Sequence, residues 1–226
     1  MAVKKNNPEH LKAAKNFLML PDYFHFLLTG QKCSEYTNAT STQLINAQTN
    51  DWDRELIERL GYPQEMFLPL SQPGTLVGSF TKEIEEEVGF SCEVVLPATH
   101  DTGSAVMALP GEGDKNLYIS SGTWSLMGIE NKTAICTEES RKRNFTNEGG
   151  YEYRYRYLKN IMGLWMIQSV RKELENKYSF AELCAMASRR SDFPSRVDVN
   201  DPVFLAPDSM IRAIRGNVCK DRASGS

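Results

Sequence analysis

The stretch from Leu96 to Ala105, Leu-Pro-Ala-Thr-His-Asp-Thr-Gly-Ser-Ala, constrains the fold of this chain most. Before it, Cys92 to Leu96 is a short β-branched run that reads as a buried strand. After it, Ala105 to Leu109 (Ala-Val-Met-Ala-Leu) reads as a helix. Asp101 therefore falls on a strand-to-helix loop. In an open α/β sheet, ligands bind in the crevice outside the carboxyl ends of the strands. A carboxylate there could take a proton from a hydroxyl as its oxygen attacks. An Asp before a helix is also a common N-cap, satisfying backbone N–H groups that have no partner in the helix. On these letters alone both readings stand, and His100 reads as a packed or capping side chain as readily as a catalyst.

Composition narrows the class. The 226 residues are enough for one large or two small domains with a real core. A hydrophobic share of 41% and a charged share of 24% fit an ordinary soluble globular protein. The net charge of -3 gives no reason to expect nucleic acid or an anionic membrane as a partner. Five cysteines, at 33, 92, 136, 184 and 219, are odd in number and never spaced C-x-x-C. That argues against a disulfide framework or a zinc site and for a reducing compartment. Three histidines far apart make a His-rich metal site unexpected as well. The start is polar and no long apolar run follows, so the sequence predicts a cytoplasmic protein without a membrane span.

Along the chain, Pro8 to Phe17 reads as a helix with Pro and Glu in its first turn. Leu18 to Asp22 reads as an apolar break, and Tyr23 to Leu28 as a short helix stopped by Thr29-Gly30. Glu35 to Thr42 is rich in hydroxyls, and as a surface it could face a sugar or solvent. Asp51 to Leu60 has the pattern of an amphipathic helix, capped by Asp51 or Asp53 and ended by Gly61. Leu76 to Phe80 reads as a strand and Thr81 to Gly89 as an acidic helix. Pro110 to Asp114 is a turn cluster and a plausible domain boundary.

Beyond that boundary, Asn116 to Gly128 predicts two short strands around Ser121-Gly122. Such a turn can aim backbone N–H groups and the Thr123 hydroxyl at a phosphate, though an ordinary hairpin has the same letters. Asn131 to Asn144 reads as a polar connection, Asn147 to Gly150 as a turn, and Tyr151 to Tyr157 as an alternating strand. Leu158 to Leu174 carries apolar residues near helical spacing and predicts a long helix. On that helix Asn160, Leu164 and Gln168 share a side, so two amides would project together; a polar stripe facing solvent fits equally well. Ser179 to Ala187 predicts a helix with a Ser179/Glu182 capping box. Asn200 to Ser209 reads as an extended loop, Met210 begins another helix, and Gly216 to Ser226 lacks an apolar pattern and reads as disordered.

Taken together, several stretches resemble the FGGY carbohydrate kinases. They are Ala98 to Val106, Tyr118 to Gly128, Thr146 to Gly150 and Leu158 to Trp165, with Met19 to Gly30 and Glu35 to Thr40 in the same order before them. Within that family the wording is closest to the members that act on L-rhamnulose. The resemblance implies an α/β fold of the ribonuclease-H-like, actin and hexokinase type, with two domains closing over a cleft. It implies ATP-dependent phosphorylation of L-rhamnulose at its C1 hydroxyl, with Mg²⁺ arriving on the nucleotide. It places Asp101 as the catalytic base, His100 and Thr102 beside it against the sugar, and Asn160 as a further sugar contact. It places Thr123 and Gln168 at ATP. It assigns residues 1–109 to the end of the sugar-binding domain, 110–215 to the start of the nucleotide-binding domain, and 216–226 to a tail outside the family pattern.

Departures from the family matter too. Its members open with a glycine-rich hairpin of the form Asp-x-Gly-x-x-Ser and carry a Gly-Gly-Gly segment near the far end. Neither occurs in these 226 residues. The expectation is therefore an internal portion of such an enzyme, with little or no kinase activity by itself. Two other classes compete: a kinase for another ketose, and a non-catalytic relic serving as a binding module. A hydrolase reading is poor, because no serine sits in a Gly-x-Ser-x-Gly elbow.

Overall fold

The computed structural model describes residues 2–110, 116–190 and 192–224, with side chains to residue 218. The chain divides into two compact units, Met1–Asn116 with Ile129–Leu158 and Leu117–Gly128 with Lys159–Ser226. The turn cluster at Pro110 to Asp114 lies almost wholly outside the described residues.

In the first unit, short helices and strands surround a core of Ala39, Trp52, Ile57, Met66 and Phe67. Phe17 closes this core, meeting Trp52 edge-on at a centroid distance of 6.3 Å. The helix expected over Asp51 to Leu60 covers only Arg54–Arg59, capped by Asp53, whose carboxylate accepts from the Leu56 N–H at 2.9 Å. Asp51–Trp52 instead pairs antiparallel with Ile45–Asn46. That pairing turns the Trp52 ring into the core, where its Nε1 donates to the Leu68 carbonyl at 2.6 Å. A buried indole needs such an acceptor.

The helix expected from Tyr23 starts earlier, spans Leu20–Thr29, and ends at Gly30 in the left-handed region at φ 69°. The predicted break at Leu18 to Asp22 is thus partly helical, Pro21 being tolerated in the first turn. The helix from Pro8 stops at Ala13, and a separate one covers Ala2–Asn6. Leu76–Ser79 pairs antiparallel with Glu93–Val95. This ribbon is half-exposed rather than buried: Val94 faces inward while Val95 faces out. Lys82–Val88 is helical between its Thr81 cap and Gly89, as the sequence predicts.

Three segments differ from expectation in this region. Asn147 to Gly150 is not a turn; Phe145–Gly149 is a strand. The polar connection after Asn131 contains the helix Glu138–Lys142, capped by Thr137. The alternating strand begins only at Tyr155, after a short 3-10 turn over Tyr151–Tyr153. The four-stranded sheet runs in the order Leu117–Ser121, Ser125–Asn131, Tyr155–Ile161, Phe145–Gly149.

The largest correction concerns Leu158 to Leu174. Residues to Ile161 continue the strand Tyr155–Ile161, and the helix covers only Trp165–Glu173. Gly163 makes the break, at φ 34°, where a Cβ would stand 2.6 Å from the Ser125 hydroxyl and 2.8 Å from the Gly122 carbonyl. Asn160 and Gln168 therefore do not share a helix face. Helix Phe180–Ser188 has the expected capping box, with Ser179 and Glu182 bonded reciprocally. Pro202–Phe204 adds a 3-10 turn to the loop before Met210. Met210–Ser224 is helical, so the expected disordered tail is corrected as far as Ser224, and its last two residues lie outside the described residues. The core of the second unit is Met162, Phe204 and Met210, backed by Trp165, Met166 and Val170.

Candidate functional site

The site in the first unit is built on a buried carboxylate. Glu35 ends the two-residue strand Ser34–Glu35, which pairs parallel with Leu70–Ser71. Its side chain is fully buried and accepts from the Thr37 and Asn38 N–H groups and the Thr37 hydroxyl. It also accepts from the Thr99 N–H at 3.0 Å and the Thr99 hydroxyl at 2.8 Å, across 64 residues of sequence. A buried carboxylate is tolerated when donors surround it. Here the same donors pin the loop before Asp101 to the segment after Glu35. The Thr37 hydroxyl in turn accepts from the His100 N–H at 3.4 Å. The hydroxyl-rich run from Glu35 is thus largely interior, with Tyr36, Thr37 and Ala39 buried. Behind it, buried Asp22 accepts from the Glu35 N–H at 3.2 Å. Burial, above all, pushes the Asp22 carboxyl up to about 7.

On this frame, helix Asp101–Met107 begins with Asp101 itself, and His100 occupies the cap position. Asp101 is not the N-cap. Its carboxylate accepts from the adjacent Thr102 N–H at 2.6 Å and from the Thr102 hydroxyl at 3.3 Å. The Asp101 side chain is 98% exposed, whereas the flanking Thr102 is buried. His100 Nδ1 stands 3.7 Å from Asp101, and its Nε2 stands 3.8 Å from Glu148. Glu148 is held 3.1 Å from Arg156, a guanidinium with no exposed surface. Arg156 also donates to the Gly149 carbonyl, and it lies against Gly103, where a Cβ would be 3.7 Å from the guanidinium carbon. Burial first, then the Arg156 charge, holds the His100 imidazole below its usual range, while Glu148, Asp101 and Glu35 oppose this. The arrangement offers one solvent-facing carboxylate beside a neutral imidazole, both resting on buried Glu35 and Arg156 and on half-buried Glu148.

The other predicted site residues lie in the second unit. Leu117–Ser121 and Ser125–Asn131 form the expected hairpin. At its tip Thr123 is exposed, and its carbonyl accepts from the Trp165 N–H at 2.9 Å. Asn160 is an exposed strand residue near the Gly163 turn. Gln168 lines a cleft of about 580 Å³ with Trp165, Ser169, Lys172, Pro207 and Asp208. The structure thus groups Asp101, His100 and Thr102 in one site and assigns Thr123, Asn160 and Gln168 to the other unit.

Comparison with known proteins decides the family. Residues 2–108 match the N-terminal domain and residues 117–218 the C-terminal domain of the FGGY family of carbohydrate kinases. The chain belongs to that family. A rhamnulokinase of Halalkalibacterium halodurans is 56% identical over 214 residues, covering 95% of this chain and 45% of that protein. One from Oceanobacillus iheyensis is 53% identical, covering 97% of this chain and 46% of its own length. The chain therefore spans about half the length of the curated relatives it matches. A ligand-bound xylulose kinase from Lactobacillus acidophilus superposes with a TM-score of 0.72 at 18% identity, over 83% of this chain and 38% of that one. The fold is accordingly the ribonuclease-H-like α/β type of the FGGY kinases, present here as parts of two domains.

Sequence reading missed three residues of this FGGY site. Glu35, Glu148 and Arg156 carry the Asp101 loop; the first two lie in stretches that carry the family resemblance, but their letters assign neither a role. Arg156 lies in an alternating Tyr-Arg-Tyr-Arg-Tyr run that reads as a sheet edge. The small residue at Gly103 was the available signal: something large had to fill the space beneath it.

Proposed function

We propose that this chain supplies the sugar-side chemistry of an ATP-dependent kinase that phosphorylates the C1 hydroxyl of L-rhamnulose. The observation that carries the reading is the Asp101 carboxylate. It is almost fully exposed at the first residue of a helix whose neighbours are buried and hydrogen-bonded. Phosphoryl transfer needs a positioned carboxylate to receive the hydroxyl proton as the oxygen attacks in line. His100, kept neutral by burial and by Arg156, is suited to bond a sugar hydroxyl without adding charge. Thr102 holds the carboxylate's orientation. In this reading Asn160 contacts the sugar, while Thr123 at the hairpin tip and Gln168 in its cleft contact the nucleotide. MgATP is a co-substrate, the metal arriving on the phosphates. The domain division is at about residue 110, residues 219–226 lie beyond the family match, and the protein works in the cytoplasm. The similarity to rhamnulokinases favours L-rhamnulose over other ketoses.

These 226 residues contain no Asp-x-Gly-x-x-Ser hairpin and no Gly-Gly-Gly segment. We infer that by themselves they bind the sugar and transfer phosphate poorly. Calorimetry with L-rhamnulose, D-xylulose and glycerol tests the binding half; L-rhamnulose is expected to bind at least tenfold more tightly than either. Equal affinity for D-xylulose would assign the site to another ketose. ADP release from MgATP with L-rhamnulose tests the turnover half, beside Asp101→Asn. No sugar-dependent ADP is expected from the chain alone. Sugar-dependent ADP that Asp101→Asn removes by a factor of 100 or more would overturn the inactivity and leave the base in place.

A further inference from the structure

Helix Leu20–Thr29 is inverted relative to an ordinary amphipathic helix. Leu20, Phe24 and Leu27 face outward, whereas Asp22 has no exposed surface. Burying a carboxylate in place of leucine costs several kcal/mol unless the charge is met by a partner. Asp22 Oδ1 accepts from the Glu35 N–H, the Met19 backbone N–H also favours the charged carboxylate, and no hydrogen bond meets buried Oδ2. One turn along, His25 Nδ1 is buried and also without a hydrogen-bond partner. After Gly30 turns the chain back, Cys33 comes alongside as a free, half-buried thiol. A carboxylate oxygen of Asp22, a ring nitrogen of His25 and the Cys33 sulfur all lie within 4.8 Å of one another. Glu35, the nearest further acid, has both oxygens occupied by the donors from Thr37, Asn38 and Thr99.

We propose that Asp22, His25 and Cys33 form a zinc-binding site, with water as the fourth ligand. Three features carry this. The donor set of one carboxylate, one imidazole and one thiol suits a tetrahedral borderline-soft cation, and the thiol disfavours Mg²⁺ and Ca²⁺. The spacing is close to closed: tetrahedral edges around zinc are about 3.5 Å, so side-chain adjustments of about 1 Å complete the set. Among the described residues no hydrogen bond meets Asp22 Oδ2 or His25 Nδ1, and a cation would satisfy both. Zinc on Asp22 would also stiffen the acceptor of the Glu35 N–H, and through Glu35 the Thr99–Asp101 loop. The sequence argued against zinc because no C-x-x-C or histidine pair is present; here the ligands come from one helix turn and the loop that follows the helix. The site stands whether or not the chain binds sugar.

The test is metal binding by the purified chain after EDTA stripping. Titration against a chromophoric chelator is expected to show one Zn²⁺ per chain. The affinity should fall at least tenfold in Cys33→Ser and in His25→Asn, and stay unchanged in Cys92→Ser, whose thiol is exposed elsewhere. Cobalt(II) should give a near-ultraviolet thiolate charge-transfer band and tetrahedral visible bands, both lost in Cys33→Ser. Zinc should raise the melting temperature of the wild type and of Cys92→Ser only. Should either ligand variant fail to fold, the wild-type cobalt spectrum decides. No zinc uptake, a cobalt spectrum without the thiolate band, or equal affinity in wild type and Cys33→Ser would each overturn the site.

Discussion

At the scale of single residues, position in this site is set by groups that never reach the solvent. Glu35 is the clearest case, because its two oxygens satisfy five donors from two distant segments. In Glu35→Gln an amide group would face some of those donors, leaving at least one buried and unmet. The expected cost is about 2–4 kcal/mol, read by urea denaturation. A loss under 0.5 kcal/mol would mean that the Thr99 loop is held by something else. His100 gives a pH signature. Its pKa is lowered in the folded chain, so its neutral form stabilises the fold fully above the unfolded value of about 6.5. That contribution is lost as pH falls through the lower, folded value. The stability difference between wild type and His100→Asn should therefore shrink from pH 7.5 to pH 5; a difference that stays flat would rule out a depressed His100. The placement of His100-Asp101-Thr102 after a strand and at the start of a helix was legible in the sequence. Its foundations were not. Whether an acid or an arginine is buried depends on what distant segments place around it, and Glu35 meets Thr99 only after the chain has folded.

At the scale of elements, capped helices were legible and junctions were not. Ser179/Glu182, Thr81 with Gly89, and Gly30 act within a few residues, so the sequence carries them locally. The Leu158 to Leu174 misreading is different in kind. Leu158, Ile161 and Trp165 suit a helical stripe, but Tyr155, Tyr157 and Ile161 suit a strand equally, and pairing with Ser125–Asn131 and Phe145–Gly149 decides it. Gly163 then turns the chain so that the Leu164 and Trp165 N–H groups donate to the Gly122 and Thr123 carbonyls, at 3.0 and 2.9 Å. Gly163→Ala would place a methyl against Ser125 and Gly122 in a left-handed conformation. The expected destabilisation is about 2–4 kcal/mol. Loss of amide protection at Leu164 and Trp165 would localise it to the hairpin tip where Thr123 sits. Unchanged stability would mean that the turn can move away, and that the Thr123 geometry is not built by that approach.

At the scale of the whole molecule, neither unit is a continuous piece of chain. The chain leaves the first unit after Asn116, returns at Ile129 and leaves again after Leu158. Each unit nonetheless has its own buried cluster, and the two are unequal. The first has five buried residues with three aromatic rings in contact, Phe17, Trp52 and Phe67. The second rests on Met162, Phe204 and Met210, with Phe204 fully buried and its carbonyl accepting from Trp165 Nε1. A small core depends heavily on its largest member. Phe204→Ala removes that member at a cost of about 3–5 kcal/mol, which corresponds to roughly 150- to 4000-fold in an opening equilibrium. Regions with few buried contacts open below the global transition. Hydrogen exchange by mass spectrometry should therefore show helix Trp165–Glu173 losing protection by about that factor in Phe204→Ala. Helix Arg54–Arg59, packed through Ile57 on the other core, should keep most of its own. Equal loss in both helices would show one cooperative unit, and the Asp101 site would then depend on the second core for its order.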